Sequence, residues 1–115
     1  MHLLVQVLEQ TEQLAGLLEG LAKAGVTGTT VLDSIGMGRI LLESGADVPA
    51  LQTIRDVLAK GKGTNKTIFA VVRDEETLKK AIEVARSLCG DLNSPGKGIL
   101  FTVRLDFVEG LKKPF

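Results

Sequence analysis

The spacing of hydrophobic residues changes from strand-like to helix-like early in the chain. Residues 2–9, HLLVQVLE, are apolar or β-branched at most positions, which predicts a buried strand. After Thr11, leucines recur at the i, i+3, i+4 and i+7 positions of one helix face: Leu14, Leu17, Leu18 and Leu21. We expect this helix to end at Gly25, because glycine commonly occupies the position after the last turn.

The middle of the chain repeats this change of period. Residues 29–35 alternate and are rich in β-branched side chains, which predicts a second strand. Residues 67–72 are apolar throughout, which predicts a third strand in the centre of a sheet. Asp74 is a typical N-cap residue, and apolar positions with helical spacing follow it: Leu78, Ala81, Ile82, Ala85 and Leu88. Gly90 is expected to end this second helix.

The predicted elements have the order βαββαβ once a loop at residues 91–98 and a fourth strand at residues 99–105 are added. This order favours the α+β class with a ferredoxin-like fold, in which two helices cover one face of a four-stranded antiparallel sheet. The 115 residues suit one such domain, residues 1–115. Strands one, three and four are apolar on both alternations, so we expect other copies of the chain to cover the second face.

Composition narrows the classes of function. Fourteen basic and fourteen acidic residues cancel, so there is no overall basic field to attract nucleic acid. Four Phe and no Trp or Tyr speak against aromatic platforms for stacking bases. Cys89 is the single cysteine and His2 the single histidine, which leaves too few members for a Cys/His catalytic pair or metal cluster. We therefore expect no enzymatic activity, no metal and no nucleic-acid partner.

The sequence also predicts where the protein works. The N-terminal stretch MHLLVQVLEQ lacks the basic lead of a signal peptide and soon reaches polar residues. No apolar run approaches the ~20 residues that a membrane-spanning helix needs. A lone cysteine, which we expect to be a small apolar core residue, fits a reducing compartment. We therefore expect a cytoplasmic protein with no direct membrane insertion.

Two glycine-rich segments flank predicted strands. Gly36-Met37-Gly38-Arg39 follows the second strand, and Pro95-Gly96-Lys97-Gly98 precedes the fourth. Glycine lets the backbone approach a ligand, and successive N–H groups can then form a concave anion-binding surface. Arg39 and Lys97 would bring positive charge to a phosphate. The alternative is that both segments are ordinary turns with solvated basic side chains, and neither contains a known phosphate-binding fingerprint.

The segment GVTGTTVLDSIGMGR, residues 25–39, is similar to G-[IV]-x-G-x-T-V-x-x-V-x-G-x-G-R of the PII-type signalling proteins. The stretch SPGKGILFTVRLDFVEGL resembles the second glycine loop, last strand and tail of that family. The resemblance implies a homotrimer of ferredoxin-like units with their sheets facing inward. It also implies an adenine nucleotide (AMP, ADP or ATP) in each cleft between subunits. A long loop, here about residues 40–63, would control a membrane transporter or metabolic enzyme, as in the regulation of nitrogen utilization.

The resemblance carries the nucleotide-binding positions of the family onto three parts of this chain. The base of the long loop, the second glycine loop and the tail supply Thr30, Gly36, Met37, Gly38, Arg39, Gly96, Lys97, Gly98 and Lys112. Ile40 replaces the glutamine that helps hold magnesium and 2-oxoglutarate in the family, so sensing of 2-oxoglutarate is not expected. The chain lacks the paired arginines of the family's tail, which favours a nucleotide with fewer phosphates.

Residues 40–63 also contain a helical pattern of their own. After Pro49, apolar residues share one helix face: Leu51, Ile54, Val57 and Leu58. We expect a short amphipathic helix that ends at Gly61 and packs either on a partner or on its own trimer. Two other hypotheses stay open. One is a CutA-type trimeric metal-tolerance protein of the same superfold, and the other is a small ferredoxin-like enzyme or an effector-binding domain of the amino-acid-sensing kind.

Overall fold

Four strands and three α-helices are present in the computed structural model, which describes residues 1–45, 47 and 64–112. In chain order they are β1 (His2–Leu8), a short 3-10 helix (Thr11–Gln13), α1 (Leu14–Lys23), β2 (Thr30–Ser34), α2 (Met37–Ser44), β3 (Asn65–Val72), α3 (Glu75–Cys89) and β4 (Ile99–Arg104). The four predicted strands and both predicted helices outside residues 40–63 are confirmed, with bounds that differ by one to three residues.

The strands form one open antiparallel sheet in the order β2-β3-β1-β4. The placement of the apolar strand β3 inside the sheet is confirmed, and β2 and β4 are the two edges. This α+β arrangement is compatible with the predicted ferredoxin-like fold. Neighbouring strands run in opposite directions. The last residues of β1 and β2 and the first residues of β3 and β4 therefore lie at the same end of the sheet.

Helices α1 and α3 cover one face of the sheet. Side chains alternate along a strand, and one alternation of β1 and β3 is buried beneath the helices: Leu4, Gln6, Leu8, Ile68, Ala70 and Val72. The helices bury Leu17, Leu21, Leu78, Ala81 and Ala85 against them. The small residue Gly20 lets the helices approach closely, because a Cβ there would lie 2.6 Å from Cγ1 of Val84. None of the described helices is both long and apolar enough to cross a bilayer.

The expected ends of the two core helices are confirmed. Gly25 follows α1 with a positive φ of 102°. The Gly25 N–H donates to the oxygen of Ala22 at 3.1 Å, and the Val26 N–H donates to that of Leu21 at 2.8 Å, which is the Schellman arrangement. Asp74 caps α3 by accepting a hydrogen bond from the Thr77 N–H at 2.8 Å. Both helix ends lie at the end of the sheet at which β3 finishes.

Helix α2 differs from the expectation for this part of the chain. We interpreted Gly36-Met37-Gly38-Arg39 as a glycine turn and residues 40–63 as a long loop, yet Met37–Ser44 is helical. Its two turns are too short, and too interrupted by Gly38, for the apolar period to stand out in the sequence. Gly45 ends the helix in the left-handed conformation. The amphipathic helix expected after Pro49 lies outside the described residues.

The second face of the sheet is apolar, as the strand pattern predicts, and in the part of the chain that the structure describes its side chains are half-buried or exposed. Cross-strand partners form continuous rows on this face: Phe69, Val5 and Phe101 in one row, and Val71, Leu3 and Val103 in the next. Side chains at the β4 edge of this face are open, with Phe101 44% and Val103 46% exposed. An apolar surface of this extent is typical of an interaction site.

Candidate functional site

The two glycine segments lie at the same end of the sheet but at opposite edges. Ser34 at the end of β2 pairs with Asn65, and Val7 near the end of β1 pairs with Ile99 at the start of β4. Two strands lie between the edges, so about 14 Å separates them at a strand spacing of about 4.8 Å. One chain therefore does not bring the two segments together into one cradle.

The first glycine segment is the start of a helix rather than a free turn. Gly36 is extended and precedes α2, and its oxygen accepts a hydrogen bond from the Ile40 N–H at 3.3 Å. Met37, Gly38 and Arg39 form the first helical turn, whose N–H groups have no partners within the helix. The expected surface of backbone N–H groups can therefore exist here, but as a helix N-terminus.

Arg39 already has a partner on the same helix. Its Nε donates to Oε1 of Glu43, one turn further on, at 2.9 Å. Both side chains are more than a third exposed, and pairs of this kind contribute about 0–1 kcal/mol. Because the guanidinium has five N–H donors, an incoming anion could bind Arg39 beside or in place of Glu43.

The second glycine segment is held tightly against β1. Gly96 and Gly98 have φ values of 77° and 85°, which glycine adopts readily. A Cβ on Gly98 would overlap the carbonyl oxygen of Val7, so no larger residue fits there. The glycine at position 98 is thus required by the packing of the loop on β1, whether or not a ligand binds. Lys97 between them is half-buried.

Cys89 has the structural role that we expected of it. Its side chain is buried, and the Nε2 of the buried Gln6 donates to its Sγ at 3.4 Å. Burial raises the pKa of the Cys89 thiol, against smaller opposing effects of the Gln6 amide and the Lys97 ammonium. A buried thiol with a raised pKa is a poor nucleophile.

A groove of about 610 Å³ opens at the opposite end of the sheet, where β3 finishes. Three segments line it: residues 25–28 between α1 and β2, residues 71–74 with Thr77 at the start of α3, and residues 110–112 in the tail. Lys112, one of the predicted binding residues, is in its lining, and Thr30 begins β2 two residues after Gly28. The predicted site residues therefore fall into two groups, at the two ends of the sheet.

Arg73 gives this groove a cation that the sequence analysis missed. Its Nη2 donates to the main-chain oxygen of Lys112 at 2.8 Å and to that of Leu111 at 3.4 Å. Asp74 beside it is occupied as the cap of α3, and the Thr77 N–H holds the pKa of the Asp74 carboxyl below its usual value. The signal available in the sequence was an arginine placed directly after the apolar residues 67–72.

Threonine hydroxyl groups add hydrogen-bonding groups to the lining of the groove. Thr27 and Thr77 are part of the lining, and both are half-buried. Two residues after Thr27, Oγ1 of Thr29 is buried and has no hydrogen-bond partner among the described residues. A groove with two cations and several hydroxyl groups can hold a small anionic ligand.

No protein-family model matches the chain, and no curated protein matches it in sequence. Within the residues that the structure describes, no three His, Cys, Asp or Glu side chains are grouped so that they could hold a metal ion.

Proposed function

We propose that this chain is a divergent PII-like regulatory protein that binds an adenine nucleotide in clefts between the subunits of a homotrimer. The observation that carries the proposal concerns residues 25–39, the most specific part of the sequence resemblance. Their beginning lines the groove of about 610 Å³, and their end forms the first turn of α2, whose N–H groups have no partners within the helix. Both ends of this one segment therefore lie at surfaces that suit an anionic ligand.

The apolar face of the sheet supports assembly. It spans three strands in continuous rows and leaves Phe101 and Val103 open to solvent in the single chain. Packing these faces together with the sheets inward removes that surface from water, which is the main driving force for association. It also allows a surface at the edge of one copy to meet a surface of the next. In this arrangement adjoining copies together supply the residues of each cleft, which are the two glycine segments, Thr30 and Lys112.

The charges favour a small nucleotide. Arg39 and Lys97 accompany the glycine segments, and Lys112 belongs to the groove. Three such cations suit the one or two phosphates of AMP or ADP better than the three of ATP. Ile40 stands where the family has a metal-holding glutamine, and its aliphatic side chain cannot coordinate magnesium. A 2-oxoglutarate-sensing role is therefore not part of the proposal.

Helix α2 supports a role in binding a target protein. Three apolar side chains on it or directly before it are more than half exposed: Ile35, Met37 and Ile40. Exposed Met and Ile side chains on a short helix are suited to docking in an apolar groove of another protein. We propose that residues 40–63, which begin on this helix, contact a membrane transporter or metabolic enzyme in the cytoplasm and that the chain itself catalyses nothing.

A thermal-shift panel with AMP, ADP, ATP, cyclic AMP and S-adenosylmethionine tests the nucleotide. A ligand at 100 times its Kd stabilises the folded protein by about 2.7 kcal/mol. For a domain of this size, that raises Tm by roughly 10 °C. We expect AMP or ADP to produce such a shift, and Arg39→Ala to reduce it.

Glu43→Ala is the matched control, because it also breaks the pair with Arg39 but leaves the guanidinium in place. Its nucleotide-dependent shift should equal or exceed that of the parent protein. Absence of any shift at millimolar nucleotide, together with a monomeric mass in light scattering, would remove the basis of the proposal.

A further inference from the structure

We infer that Arg73 is a phosphate-binding residue of the groove, and that residues 110–112 of the tail occupy the groove until a nucleotide displaces them. The identity of the ligand as an adenine nucleotide rests on the proposed function. The contact between Arg73 and the tail stands on the structure alone, at 2.8 Å from Nη2 to the oxygen of Lys112.

The present partners of Arg73 are weak compared with a phosphate. Its guanidinium donates to the neutral main-chain oxygens of Leu111 and Lys112. Among the residues that the structure describes, no carboxylate forms an ion pair with Arg73. A guanidinium binds phosphate through two parallel, charge-assisted hydrogen bonds, which are about twice as strong as neutral ones. A phosphate in the groove is therefore the better partner.

The surroundings of Arg73 leave it available to a ligand. The carboxylate nearest in sequence, Asp74, accepts the N–H of Thr77 and is used in capping α3. Arg73 is itself exposed and lines the groove together with Lys112, so two cations are present at one surface. The tail, residues 105–115, contains no arginine. Arg73 supplies a guanidinium to the groove from the end of β3 instead.

The tail forms a strap across one end of the sheet. It leaves β4 after Arg104, passes the start of β1, where the Leu105 N–H donates to the oxygen of Met1 at 3.0 Å, and reaches the groove at residues 110–112. Gly110 adopts a positive φ of 92° just before the segment held by Arg73. Because tail and phosphate use the same guanidinium, binding of one weakens binding of the other. Whether the tail is bound to Arg73 therefore depends on whether a ligand occupies the groove.

Calorimetric titration of ADP into the full-length protein tests the ligand half of the inference. Loss of a charge-assisted hydrogen bond should weaken binding roughly 10- to 100-fold in Arg73→Gln. Arg73→Lys should fall between this variant and the parent, because it keeps the charge but loses the fork. Arg86→Gln is the control, since Arg86 lies in the last turn of α3, away from the groove, and its Kd should be unchanged.

Heteronuclear NOE values for the amides of Gly110, Leu111 and Lys112 test the tail half. We expect them to fall when ADP is added to the parent protein, and to be low in Arg73→Gln without ligand. Circular dichroism and Tm show whether the variants are folded, and Arg73→Lys gives a second variant with the charge retained.

The outcomes separate the two proposals. Equal ADP affinity in the parent and Arg73→Gln, with an unchanged tail, overturns this inference and leaves the proposed function standing. If ADP does not bind the parent at all, the proposed function and the phosphate role of Arg73 both fail. If the NOE values of Arg73→Gln without ligand equal those of the parent protein, the contact with Arg73 does not restrain the tail, and this half of the inference is overturned.

Discussion

The Cβ direction of Gly98 points at the main-chain oxygen of Val7, so that any side chain at position 98 would overlap β1. The loop before β4 can therefore reach its place only with glycine there. This relationship changes how the second glycine segment is interpreted. Gly98 is required for the pairing of β1 with β4, whereas a Cβ on Gly96 would lie 3.9 Å from Oε2 of Glu9, which is an ordinary van der Waals contact.

Gly98→Ala should therefore destabilise the fold more than Gly96→Ala. Both positions have positive φ, which costs about 1–2 kcal/mol for a residue with a Cβ. Only at position 98 does the added methyl group also overlap the backbone. We expect the free energy of unfolding to fall by more than about 3 kcal/mol there. Urea unfolding of the two variants measures the difference. Equal losses would mean that the loop moves away from β1 without penalty.

The contact between Gly20 on α1 and Val84 on α3 gives a second prediction. Gly20→Ala places a methyl group 2.6 Å from Cγ1 of Val84, and overpacking of this kind costs about 1–3 kcal/mol. The better helix propensity of alanine offsets about 1 kcal/mol of that.

Val84→Ala is the partner in a double-mutant cycle. The two changes together should be less destabilising than the sum of the single changes, because the smaller side chain at 84 makes room for the methyl at 20. Additive effects in urea unfolding would contradict the close approach of the two helices.

Asp74 predicts a dependence of stability on pH. Its carboxyl accepts the Thr77 N–H, which lowers the pKa of Asp74 in the folded protein below its ordinary value. A folded-state pKa below the unfolded value means that the contribution is present above the unfolded pKa. It is lost as pH falls through the folded pKa. Asp74→Ala should lower Tm at pH 7, and its difference from the parent should shrink in acid.

Asp74→Asn separates capping from charge. Asparagine is about as good an N-cap as aspartate but does not titrate. Its Tm at pH 7 should lie close to that of the parent, and its loss of Tm in acid should be smaller. A variant that behaves like Asp74→Ala at pH 7 would show that the charge, rather than the hydrogen bond to Thr77, stabilises α3.

The open face of the sheet predicts the oligomeric state. Phe101 lies in the row with Val5 and Phe69 and is 44% exposed. We expect the parent protein to be a trimer in light scattering and Phe101→Asp to be a monomer, because association would bury the new charge in an apolar interface. Thr102→Asp is the control, since it adds the same charge on the other face of β4. A monomeric parent protein would contradict the assembly.

Local patterns predicted most of the fold. The alternation in residues 29–35 and the leucine spacing that begins at Leu14 determine strand and helix over short distances, so these elements could be placed from the sequence. The ends at Gly25 and Asp74 were equally predictable, because caps depend on a few neighbouring residues. Helix α2 was not, since its two turns contain Gly38 and give too short a period to recognise.

The candidate site was less predictable than the fold. The sequence drew attention to Arg39 and Lys112 through the motifs near them, and the groove does contain Lys112. It gave no reason to join Lys112 to Arg73, because 39 positions separate the two in the chain. That contact depends on the tail crossing the end of the sheet, which no local pattern encodes.

Residues close together in the chain are enough to predict the order βαββαβ, the helix ends and the apolar character of both faces of the sheet. Three features become visible only in the folded chain: the two glycine segments lie at opposite edges, Gly98 must lack a side chain beside Val7, and Arg73 holds the tail. These features follow from strand order and register, which bring distant residues into contact and are set by the packing of the whole domain.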